Sequence, residues 1–203
     1  MKIKLLLVFL VASGGLCAQD IYLKTGLNNT TYNYKSTTGE KNKTFQSDLG
    51  NAYELGYRFP LLDRSRFFYD VGFVLNEYNA VVGEADASIK WKTGYVGIQS
   101  TIIYTVIKYD YFSIDVKGGG GLNTILYGKE DIDGVVYDLR NNSDFRGAVF
   151  HVLLGLQGNL IATEYCHFSV GYNYSKTIST LQKPEKFSIE SSQIMFGIHF
   201  SGF

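Results

Sequence analysis

Two copies of one short motif give this chain its clearest chemical signal. The tripeptide HFS occurs at 167–169 and again at 199–201. A histidine within hydrogen-bond reach of a serine can act as a general base and activate the hydroxyl as a nucleophile. What these pairs do therefore depends on where the surrounding segments place their side chains.

Motifs for metal or phosphate binding find less support. The segment KEDIDGVVYDLR at 129–140 resembles an EF-hand calcium loop, but alignment puts Lys129 first and Arg140 twelfth, where carboxylates are required. We expect its acids to form a solvated loop, with weak divalent-cation binding as the alternative: Glu130, Asp131, Asp133, Asp138 and, nearby, Asp144. The glycines at 118–121 lack the Lys-Ser/Thr pair of a phosphate loop. No catalytic, cofactor-binding or metal-binding residue is predicted.

The N-terminus has the layout of an export signal. Lys2 and Lys4 precede an apolar run and a stretch of small residues, which predicts a secretory signal peptide over 1–18. Cleavage after Ala18 would leave one domain, 19–203. Removing two lysines from the 19 basic residues leaves 17 against 19 acidic ones, a near-neutral balance that gives no sign of nucleic-acid binding.

The two cysteines add little. A lipoprotein signal is the rival interpretation of the leader, but Leu16 stands before Cys17, where a small residue is expected. Once the leader is removed, Cys166 is the single cysteine and no intrachain disulfide can form.

The mature part alternates with a period of two. In LGNAYELGYRFP at 49–60, bulky residues hold most odd positions, whereas small or charged residues hold the even ones. Such alternation predicts a strand whose faces meet different surroundings. The chain also has 22 glycines but only 2 prolines, which permits many hydrogen-bonded strands. We predict eight strands, at about 20–34, 49–60, 66–78, 93–107, 111–127, 146–161, 166–177 and 189–203.

The connections alternate in length. Those at 60–65, 108–111 and 162–165 are short, and the others are long and polar: 35–48, 79–92, 128–145 and 178–188. This pattern indicates an antiparallel up-and-down meander closed into an eight-stranded barrel. By the usual arrangement the short turns are periplasmic and the long loops extracellular.

Side-chain size predicts which face of each strand points outward. An eight-stranded barrel has an interior just wide enough to be filled by side chains, too narrow for a face of Leu, Ile, Phe and Tyr. The bulky face is therefore expected to meet lipid, and the fold class is an all-β transmembrane barrel. A basic residue on the lipid face would cost about 2–4 kcal/mol near mid-membrane. Six charged residues fall on the small face, where we predict a structural charge network in the lumen: Lys24, Glu54, Arg58, Asp70, Asp115 and Lys117.

Aromatic residues are expected to form girdles at both water boundaries. At the short-turn end these are Phe59, Phe67, Tyr69, Tyr109, Phe112, Phe168, Phe200 and Phe203. At the long-loop end they are Tyr34, Tyr78, Trp91, Tyr95, Tyr127, Tyr174 and Phe187.

The chain resembles a known family in its export signal, its eight strands, the block YFSIDVKGGGGLNTILYG at 111–128 and the terminus QIMFGIHFSGF. These features are similar to small outer-membrane β-barrel domain proteins of Gram-negative bacteria, including PorT-like and OmpX-like barrels. The resemblance implies an outer-membrane location, and the terminal Phe203 implies recognition by the barrel-insertion machinery. The family is functionally mixed, so no site residues follow from it.

An H-x-S pair also resembles the dyad of an outer-membrane lipid A deacylase, in which the pair faces lipid. Strand parity here sends both histidines and both serines into the lumen, so we expect packing and hydrogen bonds and predict that the chain is not an enzyme. The leading hypothesis is a structural or interaction role at the cell surface through long external loops, with lipopolysaccharide, surface proteins or secretion-system proteins as partners. The alternatives are a lipid-modifying enzyme, an accessory factor in protein secretion and a secreted lipocalin-like barrel.

Overall fold

Strands make up nearly all of the described chain. The computed structural model describes residues 20–35, 45–61, 66–82, 89–132, 134–141, 147–178 and 186–201. The predicted signal peptide lies outside these ranges, and so do Asp133, Asp144 and the terminal Phe203. The strands are β1 Asp20–Lys35, β2 Phe45–Pro60, β3 Phe67–Val82, β4 Ile89–Lys108, β5 Phe112–Ile132, β6 Val135–Asp138, β7 Ala148–Ile161, β8 Cys166–Ile178 and β9 Lys186–Phe200.

Eight of these strands close into an antiparallel barrel. Consecutive barrel strands pair with each other, and β5 pairs with β7 because β6 is not part of the ring. The first and last strands pair over fifteen positions, from Ile21–Phe200 to Lys35–Lys186. The short strand β6 pairs with β5 alone and lies outside the closed ring. The predicted eight-stranded up-and-down barrel is confirmed. No helix in the described part of the chain is long and apolar enough to cross a membrane.

The two faces of each strand have opposite character, as predicted. Leu154 is 69% exposed and Phe73 67% exposed on the outer surface, whereas Lys24 and Asn28 are at most 1% exposed inside. Leucine, isoleucine, phenylalanine and tyrosine form a continuous outward belt. Water cannot stabilise a belt of that size, but a bilayer can, and closure satisfies the backbone there. This orientation rules out the lipocalin-like alternative, which would bury the apolar face.

The strands reach further than predicted at the long-loop end. Segments expected to be loop belong to strands: Phe45 begins β2, β3 continues to Val82, β4 begins at Ile89 and β5 runs to Ile132. A tilted strand needs only about 9–11 residues to cross the hydrocarbon core, so β4 with 20 and β5 with 21 residues rise beyond it. Above the membrane the outward positions turn polar, as Lys90 and Lys92 show, whereas Trp91 and Tyr95 point inward. The pattern of bulky residues outward and small residues inward, on which the prediction relied, therefore ends there.

Three aromatics assigned to the outer girdle lie inside the barrel instead. Tyr78 is 2% exposed and Tyr95 1% exposed, and their rings meet at a centroid distance of 5.4 Å. Trp91 packs edge-on against the buried Tyr32 with a centroid distance of 5.6 Å. The prediction is wrong for Tyr78, Trp91 and Tyr95. It considered only how far along the strand each residue lies, and ignored the alternation of inward and outward side chains. Tyr127 and Tyr174 lie on the outer face, and the side chains of Tyr34 and Phe187 fall outside the described part.

These inward aromatics close the long-loop end of the lumen. We call the cluster the aromatic plug; it consists of Tyr32, Tyr78, Trp91, Tyr95 and the aliphatic residues Ala80, Leu139 and Ile189. The Tyr32 hydroxyl donates to the Tyr78 carbonyl at 2.9 Å. Leu139 belongs to a short 3-10 helix, Leu139–Asn141, that follows β6. A segment predicted to be a solvated loop thus supplies a buried residue to the plug.

The acidic segment forms a hairpin rather than a cation loop. Lys129 to Ile132 of β5 pair with Val135 to Asp138 of β6. Gly134, with a φ of 85°, makes the turn, a conformation that glycine adopts without strain. Arg140 donates to the Asp138 carboxylate and lowers its pKa to about 2.

Candidate functional site

The six charged residues singled out in the sequence come together in the lumen. They come from four strands, and each is at most 5% exposed. The Arg58 guanidinium binds Asp70 in a bidentate manner, Nε to Oδ1 at 2.8 Å and Nη2 to Oδ2 at 3.1 Å. Its third nitrogen reaches Asp115 at 3.3 Å. Lys24 lies 3.3 Å from Asp70 and 3.9 Å from Glu54.

Neutral donors complete the coordination of the carboxylates. The Tyr22 hydroxyl donates to Glu54 at 2.8 Å. Thr105 and Asn159 each donate to Asp115 at 2.8 Å. Buried charges are tolerated when they are paired and their remaining lone pairs are satisfied, and the network meets both conditions for its acids.

Lys117 stands apart within this network. It is 2% exposed, and no ion pair within 4.0 Å joins it to a carboxylate in the described ranges. Its stem passes close to Gly155 on β7, where an added Cβ would come within 3.0 Å. The three bases and three acids of the network balance in charge. With the aromatic plug above it, the network fills the middle of the lumen.

One serine and one histidine of the two HFS motifs meet across strands. Ser169 Oγ lies 3.0 Å from His199 Nε2, and both side chains are buried. The bond joins the serine of the first motif to the histidine of the second, because β8 and β9 are neighbours in register. The ring of His167 stacks on that of His199, with centroids 4.4 Å apart and an angle of 17° between planes.

Asp20 belongs to the same group, although no sequence motif pointed to it. One ligand atom each of Asp20, His167 and His199 lies within 4.8 Å of the others. The residues lie on β1, β8 and β9, which are adjacent because the barrel closes. Knowing that a closed barrel pairs its first strand with its last would have brought the start of β1 to the end of β9.

A polar pocket of about 740 Å³ opens on the outer wall at the long-loop end. Glu77 lies at its centre and accepts hydrogen bonds from the Tyr127 hydroxyl at 2.6 Å and from the Asn51 side chain at 2.8 Å. The exposed Lys92 and Lys129 stand directly opposite each other on β4 and β5 and line the same pocket. We call these two residues the outer lysine pair.

The outer lysine pair brings like charges together. Directly opposed like charges on neighbouring strands are destabilising, and neither lysine has an ion-pair partner within 4.0 Å among the described residues. The last outward apolar residues below the pair are Val96 on β4 and Leu126 on β5. The pair therefore lies just above the apolar belt.

Comparisons with known proteins identify the fold. No family model matches the chain, and no curated protein matches it in sequence. Among solved structures, Neisserial surface protein A is 11% identical with a TM-score of 0.50, over 88% of this chain and 96% of that one. The outer membrane protease OmpT from Escherichia coli is 8% identical with a TM-score of 0.50, over 91% and 96% of the two chains. The outer membrane protein OprG from Pseudomonas aeruginosa is 14% identical with a TM-score of 0.47, over 92% and 97%.

The match to a protease corrects the prediction that the chain is not an enzyme. That prediction placed the HFS motifs in the lumen of a barrel regarded as structural. OmpT has a similar fold and is a protease, so the barrel fold by itself gives no ground for excluding catalysis.

The fold and the belt together establish the class of protein. An eight-stranded barrel with a polar lumen and a continuous outward belt of bulky apolar residues is built for lipid on its outer surface. The chain is an outer-membrane β-barrel, as its structural neighbours are.

Proposed function

We propose that this barrel is a rigid membrane anchor that acts at the cell surface, where its long-loop end contacts lipopolysaccharide and other surface molecules. The observation that carries the proposal is the outer lysine pair, two directly opposed cations just above the apolar belt, in a pocket that they share with Glu77. The phosphate groups of a lipid headgroup lie at this height and would relieve the repulsion between Lys92 and Lys129. A place in the PorT-like or OmpX-like group is part of the same proposal.

The closed lumen supports a role at the surface over one in solute transport. The aromatic plug occupies the long-loop end and the charge network fills the middle. What the barrel offers to other molecules is therefore its outer wall and the strands that rise above the membrane. β4 and β5 form the tallest part of that wall, and both members of the outer lysine pair lie there.

The proposal is tested by replacing the outer lysine pair with glutamine and measuring binding of phosphorylated lipid A to the chain in detergent. Each lysine near an anionic surface contributes about 1 kcal/mol, which corresponds to about fivefold per lysine, so K92Q/K129Q should bind clearly more weakly than the wild type. Lys90 is the matched control: it is exposed on the same strand but stands opposite Asp131 and does not line the pocket. K90Q should bind as the wild type does.

Dephosphorylated lipid A separates the phosphate contact from binding to the belt. The wild type and the double variant should bind it equally. Equal affinity of the two proteins for phosphorylated lipid A would contradict the proposed contact.

A further inference from the structure

We propose that Asp20, His167 and His199 form a binding site for a first-row transition-metal cation, with zinc as the reference ion, at the short-turn mouth of the lumen. The three side chains face inward from β1, β8 and β9, where the barrel closes. One ligand atom of each lies within 4.8 Å of the other two. Two imidazoles and one carboxylate form a donor set that zinc accepts, with a further position left for water.

The hydrogen bond between His199 and Ser169 prepares His199 for this role. Ser169 Oγ lies 3.0 Å from Nε2 of His199. When Nε2 carries the proton and donates to this hydroxyl, the lone pair is on Nδ1. Nδ1 is buried and has no hydrogen-bond partner in the described part of the chain. Metal-binding histidines usually donate their second nitrogen to a neighbour in this way, which fixes both tautomer and ring orientation.

An unpartnered nitrogen on a fully buried ring needs an explanation. His199 is 0% exposed, and a buried polar atom without a hydrogen-bond partner destabilises the fold. A cation held by Nδ1 would remove this cost.

A cavity of about 130 Å³ gives a route to two of the three proposed ligands, Asp20 and His167. Asp20 and His167 line it together with Asp115, and so do the cations Arg58 and Lys108. Arg58 is already paired with Asp70 and Asp115. The cavity lining therefore carries two acids and two bases, and no excess positive charge opposes the entry of a cation.

The stacked rings imply a small rearrangement on binding. A metal ion lies in the plane of each imidazole that binds it, whereas the two rings here are nearly parallel, 17° apart. His199 is held by Ser169 and packs against Tyr22 with centroids 5.4 Å apart. His167 is only partly buried at the mouth, so His167 is the ring that turns and the stack opens.

The test measures zinc binding by isothermal titration to the chain in detergent, prepared without a histidine tag. The wild type should bind one zinc ion per chain saturably, and cobalt bound in its place should give a visible absorption band. Asp20→Asn, His167→Gln and His199→Gln should each abolish both signals. His151→Gln is the matched control, since it removes the third histidine of the chain, which binds Gln99 and Asn123 elsewhere in the lumen, and it should bind zinc as the wild type does.

Ser169→Ala tests the positioning role of the serine. Loss of such a partner typically weakens metal binding about 10–100-fold, and we expect this range with the stoichiometry unchanged. An unchanged affinity would overturn that role. Folding is checked for each variant by its heat-modifiable gel mobility, and His167→Gln, at the exposed mouth, decides the question if His199→Gln does not fold. The absence of saturable zinc binding by the wild type, or wild-type binding by His167→Gln, would overturn the site.

Discussion

Arg58 and Asp70 show at the level of single residues why the lumen tolerates charge. Their bidentate contact is the shortest ion pair of the network, and each partner also binds a second group of opposite charge. Removing one member of a buried pair leaves the other without compensation, which costs far more than replacing both by apolar residues.

Arg58→Met is therefore expected to lower the free energy of unfolding by about 3–5 kcal/mol. Asp70 and Asp115 would be left with excess negative charge in the lumen. The double variant R58M/D70L keeps two acids and two bases in the network, so most of the loss should be recovered. Urea unfolding of the chain in phospholipid vesicles measures both.

The exposed pair Arg140 and Asp138 provides the control for this prediction. Both residues lie on the surface, where an ion pair contributes little. Arg140→Gln should leave the unfolding curve unchanged. If Arg58→Met also left the unfolding curve unchanged, the network would not contribute to stability.

The strands themselves were largely predictable, and their upper ends were not. Alternation located all eight barrel strands because each has one face on lipid and one in the lumen. It failed near Lys92 and Gly128, which lie in strand although the outward face there is polar and the bulky residues of β4, Trp91 and Tyr95, point inward. Parity would have placed Tyr78 and Tyr95 inside, since they share inward positions with Asp70 and Gln99.

Close packing between β1 and β9 provides a test at the level of elements. A Cβ on Gly26 would overlap the backbone carbonyl of Ile194 on β9, and backbone cannot move aside cheaply. Overpacking of this kind costs about 1–3 kcal/mol. Gly26→Ala should therefore destabilise the barrel, as measured by urea unfolding in vesicles.

Gly158 on β7 is the matched control. The nearest atom to an added Cβ there is 3.7 Å away, an ordinary contact. Gly158→Ala should leave stability within about 0.5 kcal/mol of the wild type, as is usual for surface substitutions. Equal effects of the two substitutions would mean that the β1–β9 seam is not tightly packed.

At the scale of the whole molecule, the lumen is closed by two separate features. The aromatic plug blocks the long-loop end, and the charge network blocks the middle. The sequence predicted the network because six charges share one face. It did not predict the plug, whose members come from β1, β3, β4, β9 and the 3-10 helix and meet only after the barrel has closed, and the same is true of Asp20 and His199.

A barrel closed in this way should not conduct ions. In planar lipid bilayers the wild type is expected to give no steady current, and Tyr78→Ala should give none either, because the network remains. Steady ohmic current through the wild type would show that an open path exists through the lumen.

The orientation of the strands is the central claim, and one measurement tests it directly. Nitroxide labels placed singly at 150–157 along β7, in a Cys166→Ser background, report contact with lipid through collisions with dissolved oxygen. The outward side chains Phe150, Val152, Leu154 and Leu156 should give maxima, with minima at the inward positions between them. Maxima at the odd positions, or no alternation, would contradict the account.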